Sequence, residues 1–190
     1  MSEFIPRKER IRREREAKKR KREQQVGSAK DWIFALSVSV VLAILIRIFL
    51  LEPTYVSGPS MQDTLRTGDK VLVNKVVYKF TSPSRGDIIV FHATPKKDLI
   101  KRVIGLPGET VEAKNGRVYV NGVSLSEPYL GPNVTTKDFP PVKVPKDCVF
   151  VLGDNRDDSA DSRILGSIPI SQIVGRSELV YWPLNHLRFL

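Results

Sequence analysis

A run of 20 residues at positions 32–51 divides the chain into two parts that must meet different surroundings. It reads WIFALSVSVVLAILIRIFLL, and its one charge, Arg47, lies near its end. A helix of this length spans a hydrocarbon core of about 30 Å, and an arginine near the end of a span can extend its charge to the interface. The residues that follow Leu51 (EPTY) lack the small-residue pattern of a secretory cleavage site. The run therefore predicts a membrane anchor that is retained.

The basic residues of the chain are concentrated in front of this run. Residues 1–30 contain 12 Lys or Arg and 5 Asp or Glu, so they carry +7 of the net charge of +10. They predict a solvated, helix-prone tail that has no core of its own and can touch anionic lipid head groups. Because no Lys or Arg lies between Arg47 and Arg66, the tail is predicted to be cytoplasmic and the rest extracytoplasmic. The predicted organisation is a basic tail at 1–30, a transmembrane helix at 31–51 and an outer domain at 52–190.

The outer domain consists of short β-rich runs that are separated by Gly, Pro and Asn. Predicted strands lie at 70–78, 87–91, 99–104, 110–113, 117–120, 149–152 and 173–181. Asn115-Gly116, between two of them, is a strong hairpin signal. Many short strands with frequent turns predict a mainly β domain of the barrel or sandwich type. The proline-rich segment 124–146 is predicted to be a long surface excursion and not a strand pair, and no helical period follows residue 51.

Two short motifs that lie 41 positions apart predict nucleophilic chemistry. Ser60 lies in the sequence SGPSM, and Lys101 begins the sequence KRVIGLPGE. A serine hydroxyl needs a neighbour that takes its proton, and a lysine can take it only where burial keeps the amine neutral. Lys101 follows Leu99 and Ile100 and precedes a mostly apolar segment, which suits a neutral amine. Lowering the pKa of a lysine from about 10.4 to about 8 takes roughly 3 kcal/mol, and burial is the expected source.

The cysteine and histidine content disfavours other kinds of site. Cys148 is the only cysteine, so no intrachain disulfide can form, and with two histidines the chain offers little for a zinc site. Cys148 lies in an apolar, strand-like run, which favours a buried, inert thiol over a Cys/His pair. His92 and His186 lie in no motif, which disfavours a Ser/His triad without excluding it.

Four blocks occur in order along the chain, at residues 57–65, 86–91, 101–109 and 153–163, the last reading GDNRDDSADSR. Together with the preceding span, this set resembles the type I signal peptidases, bacterial membrane-anchored Ser/Lys proteases that remove signal peptides from exported proteins. The resemblance covers essentially everything from the span to the last predicted strand. It implies a β-rich catalytic domain on the outer face of the cell membrane, preproteins as substrates, and no metal, nucleotide or organic cofactor.

The resemblance also implies residue roles. Ser60 matches the nucleophile of the family and Lys101 its general base. Ser159 matches a serine that hydrogen-bonds and orients the lysine amine, and Asp161 and Arg163 match a pair that braces the site.

Substrate preference follows from the same resemblance. It implies small residues at the first and third positions before the cut, of the Ala-x-Ala type, which shallow apolar pockets would select. Residues predicted to line such pockets are Val56, Met61, Leu99 and Ile100, and plain core positions are the alternative for each.

Two positions depart from the pattern of the family. Members usually carry proline two residues after the methionine, where this chain has Asp63, so the rigidity of the local turn is in doubt. Some members use a serine hydroxyl two positions before the nucleophile to help bind the oxyanion, and here that position is Gly58. The backbone N–H of Ser60 is then expected to carry more of that role.

Two other functions stay open. Soluble Ser/Lys autoproteases, such as the self-cleaving repressors of the DNA-damage response, share a related nucleophile block and lysine. The span at 32–51 and the lack of a helix-turn-helix pattern disfavour them. A membrane-anchored binding protein would instead use the basic tail to hold nucleic acid or anionic lipid; the peptidase reading needs no nucleic acid. The short spacing between the span and Ser60 favours the peptidase. Ser60 lies nine positions after Leu51, so it stays within roughly 30 Å of the span, close to the membrane, where a signal peptide would be cut.

Overall fold

The computed structural model describes residues 7–62, 64–95 and 97–190, with side chains for all of these except 20–28 and 47–49. Asp63, the side chain of Arg47 and the first six residues of the predicted tail therefore lie outside the described residues. The chain divides into two compact units, Met1–Arg47 and Ile48–Leu190.

The N-terminal unit is helical. Helix α1 covers Arg7–Phe49, and its apolar part, Ala29–Ile46, is long and apolar enough to cross a membrane. Apolar side chains on all sides of this part, such as Trp32 and Phe34, are exposed, which is the pattern of a helix surrounded by lipid. Leu51 already belongs to the first strand, so the helix ends two residues before the predicted limit.

The second unit is built mainly from β-strands, which confirms the predicted fold class. The strands are β1 (Leu51–Tyr55), β2 (Lys70–Asn74), β3 (Ile88–Thr94), β4 (Lys97–Gly105), β5 (Thr110–Lys114), β6 (Arg117–Val120), β7 (Val123–Ser124), β8 (Phe139–Lys143), β9 (Cys148–Leu152), β10 (Ile168–Pro169), β11 (Ile173–Trp182) and β12 (Arg188–Phe189).

These strands form two antiparallel sheets. The larger sheet has the order β1-β2-β11-β3-β4-β9-β10, with β12 paired to β11, and the smaller has the order β7-β6-β5-β8. Strand β4 lies between β3 and β9, and its residues from Lys101 to Gly105 are all buried. The centre of the larger sheet is therefore the most enclosed part of the unit.

Two predicted elements differ from the structure. The strand predicted at 70–78 ends at Asn74, because the side-chain oxygen of Asn74 accepts hydrogen bonds from the N–H groups of Val76 and Val77 and a short helix α2 (Val77–Phe80) begins there. Segment 124–146 is not only a surface excursion, since β8 within it pairs with β5. A second short helix, α3 (Ser162–Leu165), follows later; both helices have four residues, too few to show a helical period in the sequence.

The Asn115-Gly116 hairpin lies where the sequence predicts it. Lys114 and Arg117 are paired across it on β5 and β6. The N–H groups of Asn115 and Gly116 donate to the carboxylate of Asp138, so segment 124–146 holds this turn from outside.

Cys148 is half-buried and packs against the hydrophobic cluster that includes Val144, Phe150 and Leu152. Its thiol is less enclosed than the sequence predicts.

Candidate active site

Ser60 lies in a tight turn that follows strand β1. The N–H of Gln62 donates to the carbonyl of Pro59 at 2.9 Å, and the N–H of Leu65 donates to the carbonyl of Met61 at 2.7 Å. Met61 and Leu65 are fully buried in the cluster that also contains Val56. These two buried side chains fix the turn to the hydrophobic core, and Ser60 lies half-buried at the surface of the turn. Met61, predicted to line a substrate pocket, is 1% exposed.

Gly58 has a backbone reason for being glycine. Its φ is +93°, a region that side chains with a Cβ adopt only under strain. No atom lies within 4 Å of the position that a Cβ would take, so space does not limit this position. A serine here would carry a conformational penalty whatever its hydroxyl contributed.

Lys101 is the buried partner of Ser60. It lies on β4 opposite Ile89 of β3 and is 1% exposed. Its Nζ lies 2.8 Å from Ser60 Oγ, and it also donates to the carbonyl of Ile100 at 2.8 Å. The structure therefore brings together the two residues that the motifs predicted, across 41 positions of sequence.

Burial sets the protonation of this amine. It lowers the pKa of Lys101 from 10.5 to about 8, because a low-dielectric site disfavours the ammonium. Asp161 and Asp154 act in the opposite direction, and Lys97 adds to the lowering. About a tenth of the amine is thus neutral at pH 7, far more than for an unperturbed lysine.

Loop 153–163 contains the predicted bracing pair. Arg163 donates to both carboxylate oxygens of Asp161, each at 2.8 Å, and the N–H of Gly153 donates to the same carboxylate at 3.0 Å. Burial alone would raise the pKa of Asp161, but these hydrogen bonds outweigh it and hold the pKa below its usual range. Asp161 is therefore a paired carboxylate.

Ser159, predicted to orient the lysine amine, lies in the same loop. Its Oγ is buried and has no hydrogen-bond partner within 7–62, 64–95 and 97–190, so the expected hydrogen bond to Lys101 is not made. The amine donates to the carbonyl of Ile100 instead, since that carbonyl belongs to the preceding residue of the same strand.

Gly153 allows the close approach of the loop to the nucleophile turn. A Cβ at this position would overlap both Ser159 Oγ and the backbone oxygen of Ser60. The N–H of Asn155 donates to that same Ser60 oxygen at 3.1 Å. Loop 153–163 is therefore fitted directly against the turn that carries Ser60.

A set of buried ion pairs behind the site was missed from the sequence. Arg102 donates to both oxygens of Asp154 at 2.9 and 2.7 Å, and Arg156 pairs with Glu127 at 2.5 Å. A signal was available, because a charged residue such as Arg102 in an apolar strand is almost never buried without a partner.

A cavity of about 80 Å³ adjoins Ser60 and Lys101. Three of the predicted lining residues border it, namely Val56, Leu99 and Ile100. Lining residues that were not predicted are Thr54, Tyr55, Ser57, Val90 and Asp98. The cavity is small and partly apolar, so it suits a short aliphatic side chain.

Each histidine pairs with a carboxylate. His92 Nδ1 lies 2.6 Å from Asp98, and His186 Nδ1 lies 3.1 Å from Asp69. Lys101 is the described side chain that contacts Ser60 Oγ, which favours the dyad over a Ser/His triad.

Comparison with known proteins identifies the same family as the motifs. The model of the family "Signal peptidase, peptidase S26" matches residues 29–182. A signal peptidase I of Bacillus amyloliquefaciens is 45% identical over 168 residues, which cover 83% of this chain and 90% of that protein. Signal peptidase I T of Bacillus subtilis (strain 168) is 46% identical over 169 residues, covering 83% and 88%. A crystal structure of a signal peptidase I from Enterococcus faecalis is 39% identical, with a TM-score of 0.45, and covers 50% of this chain and 97% of that one.

Replacing Gly153 by alanine should disrupt the site. The added Cβ would overlap Ser60 and Ser159, and overpacking of this kind costs about 1–3 kcal/mol. We expect a lower Tm of the detergent-solubilised chain and slower acylation of Ser60 by a serine-directed probe. Ala160→Ser, an exposed change in the same loop, should alter neither quantity. Unchanged Tm and acylation in Gly153→Ala would contradict the close approach.

Proposed function

The chain belongs to the signal peptidase family, peptidase S26, and from that membership we propose that Ser60 is its nucleophile and Lys101 its general base. Its activity is that of a serine peptidase that removes signal peptides from preproteins. The soluble autoprotease and the binding protein considered above are accordingly disfavoured. The observation that carries the residue assignment is the 2.8 Å separation of Lys101 Nζ and Ser60 Oγ in a buried setting.

The proposed reaction follows from the neutral amine. Lys101 accepts the proton of Ser60 as the serine oxygen attacks the scissile carbonyl, and it then passes that proton to the departing amine. An acyl-enzyme on Ser60 remains, and a water that Lys101 activates hydrolyses it. We propose that the backbone N–H of Ser60 stabilises the oxyanion, since glycine at position 58 offers no hydroxyl.

Substrate is proposed to bind as an extended strand beside the cavity. Strand β1 lies at the end of the larger sheet, and β4 pairs with β9 only from Arg102 onward, so both present unpaired backbone near Ser60. A peptide that adds to such an edge points alternate side chains to one face. The first and third residues before the cut would then meet Val56, Leu99 and Ile100, which leave room for small side chains and favour Ala-x-Ala.

The bracing residues are proposed to protect the neutral state of the amine. The negative charge of Asp161 favours a protonated Lys101, and the positive charge of Arg163 compensates it. Ser159, whose hydroxyl has no hydrogen-bond partner in the described chain, is available to accept a hydrogen bond from Lys101 once the amine has taken the proton.

The protein is membrane-associated, as its family is. We propose a single span with the basic tail in the cytoplasm and the domain after Leu51 outside. The apolar helix segment Ala29–Ile46 and the +7 charge of residues 1–30 support this orientation. The same tail is proposed to contact anionic lipids.

Removing either member of the dyad should abolish cleavage. We expect Ser60→Ala and Lys101→Met to lower kcat/KM for an Ala-x-Ala preprotein by roughly 10⁴-fold or more, because methionine keeps the bulk of the lysine but has no amine. Lys114→Met, on the other sheet, is the control and should cleave normally. Replacing the alanine before the cut by leucine should block processing, and undiminished cleavage by both dyad variants would refute the assignment.

Cleavage should depend on pH through Lys101. Because its pKa is lowered to about 8 and the neutral amine is the active form, kcat/KM should rise with pH and level off above about 8. Below that value it should fall about tenfold per pH unit. Thermal unfolding over the same range would show that the fold is intact, and a profile without this limb would count against a lysine base.

The orientation can be tested with protease added to intact spheroplasts. Digestion of the domain at 52–190 with survival of the basic tail is expected, read with antibodies to each end. Lysed spheroplasts should lose both parts. A protected domain in intact spheroplasts would reverse the proposed topology.

A further inference from the structure

Segment 124–146 contributes a tyrosine to the buried ion pairs behind the site. The ring of Tyr129 lies over the guanidinium of Arg102, 3.9 Å from its carbon to the ring centroid, a distance at which a cation and an aromatic face attract. The edges of the same guanidinium are bound by Asp154 and by the carbonyl of Gly86. Tyr129 therefore covers one face of the Arg102 guanidinium, where no N–H group points and no hydrogen bond can form.

Tyr129 is in turn connected to loop 153–163. Its hydroxyl donates to Glu127 at 2.6 Å, and burial beside Glu127 raises the pKa of Tyr129 far above its usual value, so the hydroxyl stays a donor. Glu127 accepts two hydrogen bonds from Arg156, at 2.5 and 3.1 Å. Arg156 also donates to Thr136 of the same segment and to the carbonyl of Gly153.

The connection ends at the reacting groups. Arg102 directly follows Lys101 on β4, and the loop reaches the backbone of Ser60 through Asn155. Arg163, the partner of Asp161, donates to the carbonyl of Arg156 at 2.7 Å. One continuous set of contacts thus joins segment 124–146 to the strand that carries the amine and to the loop that packs against the Ser60 turn.

We propose that Tyr129 and Glu127 are positioning residues that hold β4 and loop 153–163 together and so keep water away from the Lys101 amine. The inference rests on the proposed function, in which that amine is the base.

Burial and the charges around the amine determine how the pKa of Lys101 would change if loop 153–163 separated from β4. Asp161 and Asp154 on the loop favour its protonated form, Lys97 on its own strand disfavours it, and burial is the largest influence. If the loop separates from β4, water reaches the amine and the effect of burial weakens. Asp154 would part from Arg102, whereas Asp161 keeps Arg163, which lies on the same loop. Both carboxylates would also move away from the amine, but burial is the largest influence, so the pKa of Lys101 should rise.

The test is the pH profile of kcat/KM on an Ala-x-Ala preprotein, using the full-length chain in detergent. Tyr129→Leu removes the ring over Arg102, and Tyr129→Phe removes only the hydrogen bond to Glu127. We expect the apparent pKa of the acid limb to rise by about half to one unit in Tyr129→Leu and by less in Tyr129→Phe. Activity near pH 7 should fall about three- to tenfold and recover at high pH.

Tyr119→Leu on β6 is the matched control, since it removes a half-buried tyrosine of the smaller sheet. It should lower Tm without changing the apparent pKa of the acid limb of the kcat/KM profile. If both Tyr129 variants keep the wild-type limb, even with lower Tm, the positioning role is wrong; should Tyr129→Leu not fold, Tyr129→Phe decides. Cleavage that survives in Lys101→Met would instead refute the dyad, which separates that failure from this one.

Discussion

The enclosure of one amine is the condition on which the rest of the site depends. Lys101 can take a proton from Ser60 only while it is itself unprotonated, and a shift of its pKa to about 8 corresponds to roughly 3 kcal/mol against the ammonium. Burial in the centre of the larger sheet lowers the pKa of Lys101. The carboxylates of Asp154 and Asp161 act against this lowering. Each is held by an arginine in a two-point hydrogen bond, Asp154 by Arg102 and Asp161 by Arg163. On the proposed mechanism, these ion pairs limit the field that would favour a protonated amine; buried ion pairs are in general weak evidence for stability.

Features whose cause is local could be predicted from the sequence. The hairpin at Asn115-Gly116 follows from the turn chemistry of two residues, and the mainly β fold follows from short runs with frequent turns. Ser60 and Lys101 were proposed as nucleophile and base because each role needs a particular residue type in a particular setting. The structure places both beside one cavity together with Leu99 and Ile100, as an apolar pocket for small side chains requires.

Features that depend on distant partners could not be predicted. Met61 and Val56 are buried in one cluster, but only Val56 borders the cavity, and nothing in the motif distinguishes these two placements. Segment 124–146 has the composition of a loop, yet Glu127 pairs with Arg156, 29 residues away, and β8 completes the smaller sheet. The interruption after Asn74 arises from a side-chain cap, which competes with strand extension in a run whose composition alone favours a strand.

The order of the chain gives the enclosure of Lys101 a consequence for biogenesis. The pieces that complete its surroundings, strand β9 and loop 153–163, are made after β4. In a chain that has not yet assembled them the amine is in water, where its pKa is near 10.4, so it carries a proton at neutral pH. On the proposed mechanism, such a chain cannot yet activate Ser60. Competence would arrive only once β9 and loop 153–163 have packed against β4.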